Sequence, residues 1–143
     1  MEIKIKLLDE NAIVPTRATP DSAGVDLYAL AGAEIPAGET VLVHTGIALA
    51  IPEGYAGFIY ARSGLARKKG LAPANKVGVI DADYRGEIMV ALHNHSKETG
   101  YIETGERVAQ LVVAPFLPIE FSLTDTLSQT ERGDGGFGST GRK

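Results

Sequence analysis

The chain has 143 residues and a mass of 15.1 kDa, which is enough for one domain with a sizeable core and too little for two. Its net charge of -4 argues against a nucleic-acid-binding surface, which is normally basic. It contains no cysteine, so disulfides, thiolate catalysis and cysteine metal sites are excluded. The start, MEIKIKLLDE, lacks the apolar segment of a secretory signal, and no apolar run is long enough to span a bilayer. We therefore expect an intracellular, cytoplasmic protein without a membrane or nucleic-acid partner.

The predicted elements are short strands separated by glycine and proline turns. Ile3, Ile5 and Leu7 alternate with polar residues, as in an edge strand. Two apolar runs, 77–80 and 88–92, flank a polar turn and predict a β-hairpin. The other predicted elements are strands within 21–30 and over 41–51, 55–61, 107–116 and 119–123, and a short helix over 64–69.

This pattern predicts an all-β sandwich or jelly roll over residues 1–124. Residues 125–143 differ in kind, because they are polar and end in RGDGGFGSTGRK, a stretch too rich in glycine to form a packed element. We expect them to form a flexible arm.

Asp81 follows the first apolar run of the predicted hairpin and begins its turn. Aspartates in turns commonly hydrogen-bond to their own backbone, and local turn chemistry alone favours that plain structural role. The alternative is a catalytic carboxylate, since flanking strands would hold its side chain in a fixed position.

Three further stretches are more polar than their surroundings predict. Asp26 lies inside a predicted strand, either facing solvent or anchoring a divalent cation such as magnesium. Arg62-Ser63-Gly64 follows a strand and offers donors suited to a phosphate, although Ser63 could equally be a helix N-cap. Gln110 interrupts an apolar strand, where its amide either ties the core together or contacts a ligand.

The glycine-rich arm also combines a cation, an aromatic ring and hydroxyl groups. Its composition alone favours a disordered tail. The alternative is a lid in which Arg132, Ser139 and Thr140 bind phosphates and Phe137 stacks on a base. It is not a P-loop, because no Gly-Lys-Ser/Thr follows at the required spacing.

Taken in order, DSAGVDLYA, RSGLA, GVIDADYRGEI, GERVAQLV and RGDGGFGSTG resemble the ordered motifs of the trimeric deoxyuridine triphosphatases (dUTPases) and span residues 21–141. The resemblance implies an all-β, jelly-roll-like (β-clip) subunit and a homotrimer, with active sites at subunit interfaces, each closed by a neighbour's C-terminal arm. It also implies hydrolysis of dUTP to dUMP and pyrophosphate with Mg²⁺. That reaction keeps uracil out of DNA and supplies dUMP for thymidylate synthesis.

The same resemblance implies roles for individual residues. Asp81 would be the base that orients and activates the attacking water, and Tyr84 would pack under the deoxyribose and exclude a 2′-hydroxyl. Asp26 would support the metal through water. The remaining implied contacts are Asn75, Gly78, Val79, Ile80 and Met89 for uracil; Arg62, Ser63, Gly64 and Gln110 for the phosphates; and Arg132, Phe137, Gly138, Ser139 and Thr140 in the closing arm.

Two rival functions are weaker matches to the sequence. The dCTP deaminases resemble dUTPases but carry a glutamate general base on the strand after the turn, at the position that corresponds to Ala91 here. A non-catalytic nucleotide-sensing domain with the same pocket would be expected to have lost Asp81 or the arm, and both are present.

Overall fold

A computed structural model of the chain describes residues 1–136. Its elements are β1 (Lys4–Leu7), β2 (Val25–Tyr28), β3 (Ala33–Ile35), β4 (Thr40–Ala50), β5 (Tyr55–Tyr60), α1 (Ser63–Lys69), β6 (Leu71–Pro73), β7 (Gly78–Ile80), β8 (Glu87–Asn94), β9 (Gly100–Ile102) and β10 (Arg107–Pro115). The described part holds no helix long and apolar enough to cross a membrane.

The described strands form two four-stranded sheets and one two-stranded sheet, and every pairing among them is antiparallel. The first sheet has the order β1-β4-β8-β6, the second β2-β10-β5-β7, and the third pairs β3 with β9. One continuous core joins them, with Val43 and Val90 from the first sheet and Leu27, Ile59 and Leu111 from the second. The all-β, jelly-roll-like prediction is confirmed, and β1 is the edge strand expected at the N-terminus.

One face of strand β8 packs in the core, and its other face is partly exposed. Its residues alternate between partly exposed and buried, so that Ile88, Val90 and Leu92 enter the core. The buried position after them is Asn94, whose Nδ2 donates to the carbonyl oxygens of Ile35 and Glu98, both at 2.8 Å. These bonds satisfy a fully buried amide and tie the end of β8 to β3.

The predicted hairpin is wrong in its pairing, although both of its strands exist. Strand β7 pairs with β5 in the second sheet, whereas β8 pairs with β4 and β6 in the first. The segment between them, which begins with Asp81, therefore crosses from one sheet to the other. Apolar runs on both sides of a turn are common to hairpins and to such crossings, and only long-range pairing separates the two.

The strand predicted over 119–123 is also absent from the described part of the chain, where these residues belong to no strand. Ile119, Phe121 and Leu123 are 70%, 90% and 102% exposed. Their alternating apolar pattern has no partner strand among residues 1–136. Conversely, the three-residue strands β3, β6 and β9 were not predicted, because such short segments carry too little periodicity.

Candidate functional site

Seven of the predicted site residues line one cleft of about 330 Å³, which we call the Asp81 cleft. It lies where the end of β7 meets the start of β8, so strands of both main sheets form its walls. The seven residues are Asn75, Gly78, Val79, Ile80, Asp81, Tyr84 and Met89. The structure thus brings together the residues expected to contact the base, the sugar and the water.

Asp81 is exposed at the C-terminal end of β7. Its backbone carbonyl closes the turn by accepting from the N–H of Tyr84 at 3.1 Å. Its carboxylate takes part in none of the hydrogen bonds recorded within residues 1–136. The plain structural role considered above, a side chain bonded to its own turn, is therefore not how this turn is held.

The Tyr84 ring lies across the turn beside Asp81. Its hydroxyl donates to the carbonyl oxygen of Glu87 at 3.0 Å, and the side chain remains partly exposed. Gly86 makes this placement possible, because a Cβ at that position would overlap the phenol ring. The ring is thus held in place at the cleft by one hydrogen bond and one close backbone approach.

Asn75 enters the same cleft from the bend before β7. The bend closes through the N–H of Val77, which donates to the carbonyl of Asn75 at 2.7 Å, and Lys76 adopts a positive φ of 65°. A Cβ at Gly78 would come within 3.3 Å of both the Asn75 amide nitrogen and the Ile59 side chain. Glycine at this position therefore lets the strand backbone approach the amide closely.

The β8 wall of the Asp81 cleft is fixed by an irregularity in β4. Met89 lies opposite His44, beyond which the register shifts, and Gly46 in the shifted segment has a positive φ of 68°. The Glu87 carboxylate accepts from the Gly46 N–H at 2.8 Å and lies 2.9 Å from His44 Nδ1. Burial alone would raise the pKa of Glu87, but the hydrogen bonds with His44 and Gly46 outweigh it and hold the pKa below its ordinary value.

The remaining predicted residues of the main domain line a second cleft of about 440 Å³, which we call the Arg62 cleft. They are Asp26, Arg62, Ser63, Gly64 and Gln110. The linings of the two clefts share no residue. On one chain, the predicted base site and the predicted phosphate site are therefore separate.

Asp26 is 9% exposed in β2, so the solvent-facing interpretation is wrong. Its Oδ1 accepts from Arg62 Nε at 2.7 Å, and its Oδ2 accepts from Arg107 Nη1 at 3.3 Å. Burying a carboxylate is costly without such partners, and here each oxygen has one. Residues 1–136 contain no group of three or more acidic, histidine or cysteine side chains that could hold a metal ion by themselves.

Helix α1 begins beside these groups. Arg62 is its N-cap residue and makes no side-chain cap hydrogen bond, and Ser63 is the first helical residue, so the interpretation of Ser63 as N-cap is wrong. Ser63 and Gly64 are both exposed, and a Cβ at Gly64 would meet nothing within 4 Å. Their backbone and hydroxyl donors are thus accessible from the cleft.

Gln110 ties β10 to the residue before Arg62. Its Nε2 donates to the carbonyl oxygen of Ala61 at 2.9 Å. Its Oε1 lies against Gly24, where a Cβ would come within 2.8 Å. The structural role is therefore observed, and because Gln110 also lines the cleft, the predicted ligand contact stays a prediction.

Residues 10–141 match the sequence profile of the dUTPase family. The chain belongs to the dUTPase family. A relative from Hydrogenobaculum sp. (strain Y04AAS1), a deoxyuridine 5′-triphosphate nucleotidohydrolase, is 49% identical over 144 residues that cover 100% of both chains. The solved structure of the Staphylococcus bacteriophage 80alpha dUTPase with dUpNHpp is 32% identical, with a TM-score of 0.89 over 98% of each chain.

A more distant dUTPase, a mutant form from phage phi11 of S. aureus, is 26% identical with a TM-score of 0.80, over 88% of this chain and 98% of that one. That structure describes the coordination of a structural Mg(II) ion. The family resemblance inferred from the motifs is confirmed by these matches.

The predicted arm of this dUTPase-family chain is only partly described by the structure. Arg132 is exposed and donates through Nε to the carbonyl of Gly135 at 2.8 Å, and it lines neither cleft. The other predicted arm residues, Phe137, Gly138, Ser139 and Thr140, lie outside the described residues. Arg107 was missed, because an arginine at the start of a strand gives no sequence signal for a contact with Asp26.

Proposed function

We propose that this dUTPase-family chain hydrolyses dUTP to dUMP and pyrophosphate. The observation that carries the proposal is the Asp81 cleft, in which Asn75, Tyr84 and Asp81 converge. Its volume of about 330 Å³ is within the range of small-ligand sites. Such an activity would keep uracil out of DNA and provide dUMP for thymidylate synthesis.

Recognition of the nucleoside would take place in the Asp81 cleft. The Asn75 amide and the backbone of residues 78–80 and Met89 supply both donors and acceptors, as reading the edge of uracil requires. The fixed ring of Tyr84 would pack against the deoxyribose and leave no room for a 2′-hydroxyl. A base that covers these polar groups and leaves them without partners would be strongly discriminated against.

Asp81 would act on water. Its carboxylate is exposed at the cleft and has no recorded hydrogen bond within residues 1–136, so it can accept a proton from an attacking water. In-line attack on the α-phosphorus needs little more from the protein than positioning of this water and stabilisation of the phosphate charge.

The phosphates would bind in the Arg62 cleft. Arg62, the hydroxyl and N–H of Ser63 and the backbone of Gly64 offer donors on one accessible surface, with Gln110 beside them. The predicted arm, residues 125–143, would close over the substrate, with Arg132, Phe137, Gly138, Ser139 and Thr140 contacting it.

Magnesium fits this site as an ion held mainly by substrate. The described residues offer no ligand cluster, and Mg²⁺ characteristically combines few carboxylates with substrate phosphates and waters. Asp26, whose oxygens each already accept from an arginine, would contact the ion through water rather than directly. Bound there, Mg²⁺ would neutralise phosphate charge that develops during attack.

A homotrimer with shared sites would bring the two clefts together. Because the Asp81 and Arg62 clefts share no residue, a single dUTP would contact both when neighbouring subunits juxtapose them. Exposed apolar side chains support such assembly, since Leu117, Ile119, Phe121 and Leu123 are each at least 70% exposed in the single chain.

The test is a pyrophosphate-release assay against dUTP, dCTP, dTTP and UTP, with and without Mg²⁺. The proposal expects release from dUTP that depends on Mg²⁺ and is far slower with the other three nucleotides. Ammonia release from dCTP would instead indicate a deaminase, for which Ala91 in the Asp81 cleft supplies no acid or base. No reaction with any nucleotide would refute the enzymatic proposal.

A further inference from the structure

The buried carboxylate of Asp26 lies between two arginines that come from different elements. Arg62, at the start of α1, uses Nε for this contact, and Arg107, at the start of β10, uses Nη1. We propose that Arg107 is a positioning residue for phosphate binding. Arg107 holds the Asp26 carboxylate in place, and Asp26 in turn orients Arg62. This inference rests on the proposed function.

A bulge in β10 brings Arg107 to this position. Gln110 and Ala109 pair with Asp26 and Leu27, but the register shifts before Arg107, which pairs with Tyr28. One residue, Val108, is therefore extra, and Val108 and Ala109 are both 0% exposed, which strict alternation would not produce. In a regular strand, Arg107 would face away from Gln110 and Asp26, and the bulge turns it to their side.

The contact with Asp26 also determines how Arg62 can bind an anion. Within residues 1–136, Nε is the only guanidinium nitrogen of Arg62 with a recorded hydrogen bond. Its two Nη groups are thus left to donate into the cleft that Arg62 lines. A rotation of the Asp26 carboxylate would move this fork, since Asp26 is the one hydrogen-bond partner of the Arg62 side chain in the described part of the chain.

The charge of Arg107 is a second reason to assign it a role in phosphate binding. Asp26 and Arg62 alone would cancel, leaving a neutral pair facing a highly charged triphosphate. With Arg107 included, the formal charges of the three groups add to +1, and the buried carboxylate has a partner at each oxygen. Without Arg107, part of the charge of Asp26 would act against the incoming phosphates.

The two-cleft arrangement makes the effect of Arg107 separable from general damage. Arg107, Asp26 and Arg62 do not line the Asp81 cleft, which the nucleoside would occupy. Loss of Arg107 should therefore weaken binding of the triphosphate and leave binding of deoxyuridine unchanged. A loss of folding or assembly would instead weaken both.

The experiment compares Arg107→Gln, Arg107→Lys and the control Arg67→Gln, which removes the same charge from an exposed position at the end of α1. Steady-state kinetics give KM and kcat for dUTP, and competition gives the inhibition constant of deoxyuridine. For Arg107→Gln we expect KM to rise about tenfold, the loss typical of one charged hydrogen-bonded contact, with the deoxyuridine constant unchanged. Arg107→Lys should recover part of the loss, and Arg67→Gln should match the wild type.

A KM for Arg107→Gln within twofold of the wild type would overturn the inference, and so would an equal loss of deoxyuridine binding. If Arg107→Gln does not fold, Arg107→Lys decides, because it should show a raised KM for dUTP without a change for deoxyuridine. A wild-type protein that fails to hydrolyse dUTP would refute the proposed function itself. An active wild type with an unaffected Arg107→Gln variant would refute only the role of Arg107.

Discussion

At the scale of single residues, Asp81 is set apart by what surrounds it. Its backbone carbonyl accepts the hydrogen bond that closes the turn, so the side chain is not needed to hold the local structure. It stands at the cleft beside Tyr84 and is accessible to water. Because neither carboxylate oxygen accepts a hydrogen bond from another group within residues 1–136, the side chain is suited to general-base catalysis.

Asp81→Asn should therefore keep the fold and the affinity for the analogue dUpNHpp while lowering turnover by roughly 10²- to 10⁴-fold, the usual contribution of a general base. Pyrophosphate release measures turnover, and calorimetry measures binding. Asp83→Asn is the matched control, because Asp83 lies in the same turn, is exposed and does not line the cleft. Near-normal turnover of Asp81→Asn, or equal damage in both variants, would rule out the role of Asp81 as base.

Tyr84→Ala should relax sugar discrimination, because the ring that would occupy the space of a 2′-hydroxyl is removed. Discrimination by pocket size alone is worth about 10- to 200-fold for one small group, so the ratio of kcat/KM for dUTP over UTP should fall by that order. Tyr101→Ala, an exposed tyrosine outside both clefts, serves as the control. An unchanged ratio in Tyr84→Ala would show that another group reads the sugar.

At the scale of elements, the position of the strands could be predicted better than their pairing. The apolar runs at 77–80 and 88–92 are strands, but they enter different sheets. The segment between them contributes Asp81 and Tyr84 to the lining of a cleft and does not form a hairpin turn. Local pattern sets where a strand lies, whereas its neighbour depends on contacts distant in sequence. The residues expected in the Asp81 cleft were identified by motif, since periodicity carries no such information.

Two strand irregularities place Arg107 and Glu87 in positions that the sequence pattern does not predict. The bulge at Val108 places Arg107 beside Asp26, yet a bulge leaves only two adjacent apolar residues as its trace. In β4, the register shift beyond His44 is held by the carboxylate of Glu87. Neither contact can be predicted from the alternation of buried and exposed residues along a strand, because each lies where that alternation is interrupted.

The Glu87 contact predicts a specific dependence of stability on pH. Its folded-state pKa is lowered below 4.5, so the folded form binds this proton more weakly than the unfolded chain. The stabilisation is present above about pH 4.5 and is lost as pH falls through the lowered pKa. Glu106, whose pKa is also lowered because its bonds with Lys69 and the Glu103 N–H outweigh burial, adds to the same loss.

Glu87→Gln should cost about 1 kcal/mol of unfolding free energy at neutral pH, and this difference from the wild type should shrink as pH falls below about 4.5. Denaturant unfolding at fixed subunit concentration across pH 3 to 7 measures it. Glu53→Gln, in the exposed turn after β4, controls for loss of one negative charge. A difference that stays constant with pH would contradict the assignment of the shift to this contact.

At the scale of the whole molecule, the described part of the chain has a continuous apolar core and also leaves apolar side chains exposed on its surface. Its apolar segment 117–123 is exposed, and its two clefts share no residue. Both features have one explanation in the proposed homotrimer, in which neighbouring subunits cover the apolar side chains and join the clefts. Size determination in solution should then give three times the chain mass of 15.1 kDa.

The most direct measurement uses two variants that we each expect to lose nearly all activity, Asp81→Asn and Arg62→Gln, and refolds them together in equal amounts. If each site takes Asp81 from one subunit and Arg62 from another, random assembly leaves about a quarter of the sites fully wild type. We predict that dUTP hydrolysis returns to about that fraction of wild-type activity, whereas each variant refolded alone stays inactive. No activity in mixed oligomers, with subunit mixing verified by native mass spectrometry, would contradict a dUTP-hydrolysing site shared between chains.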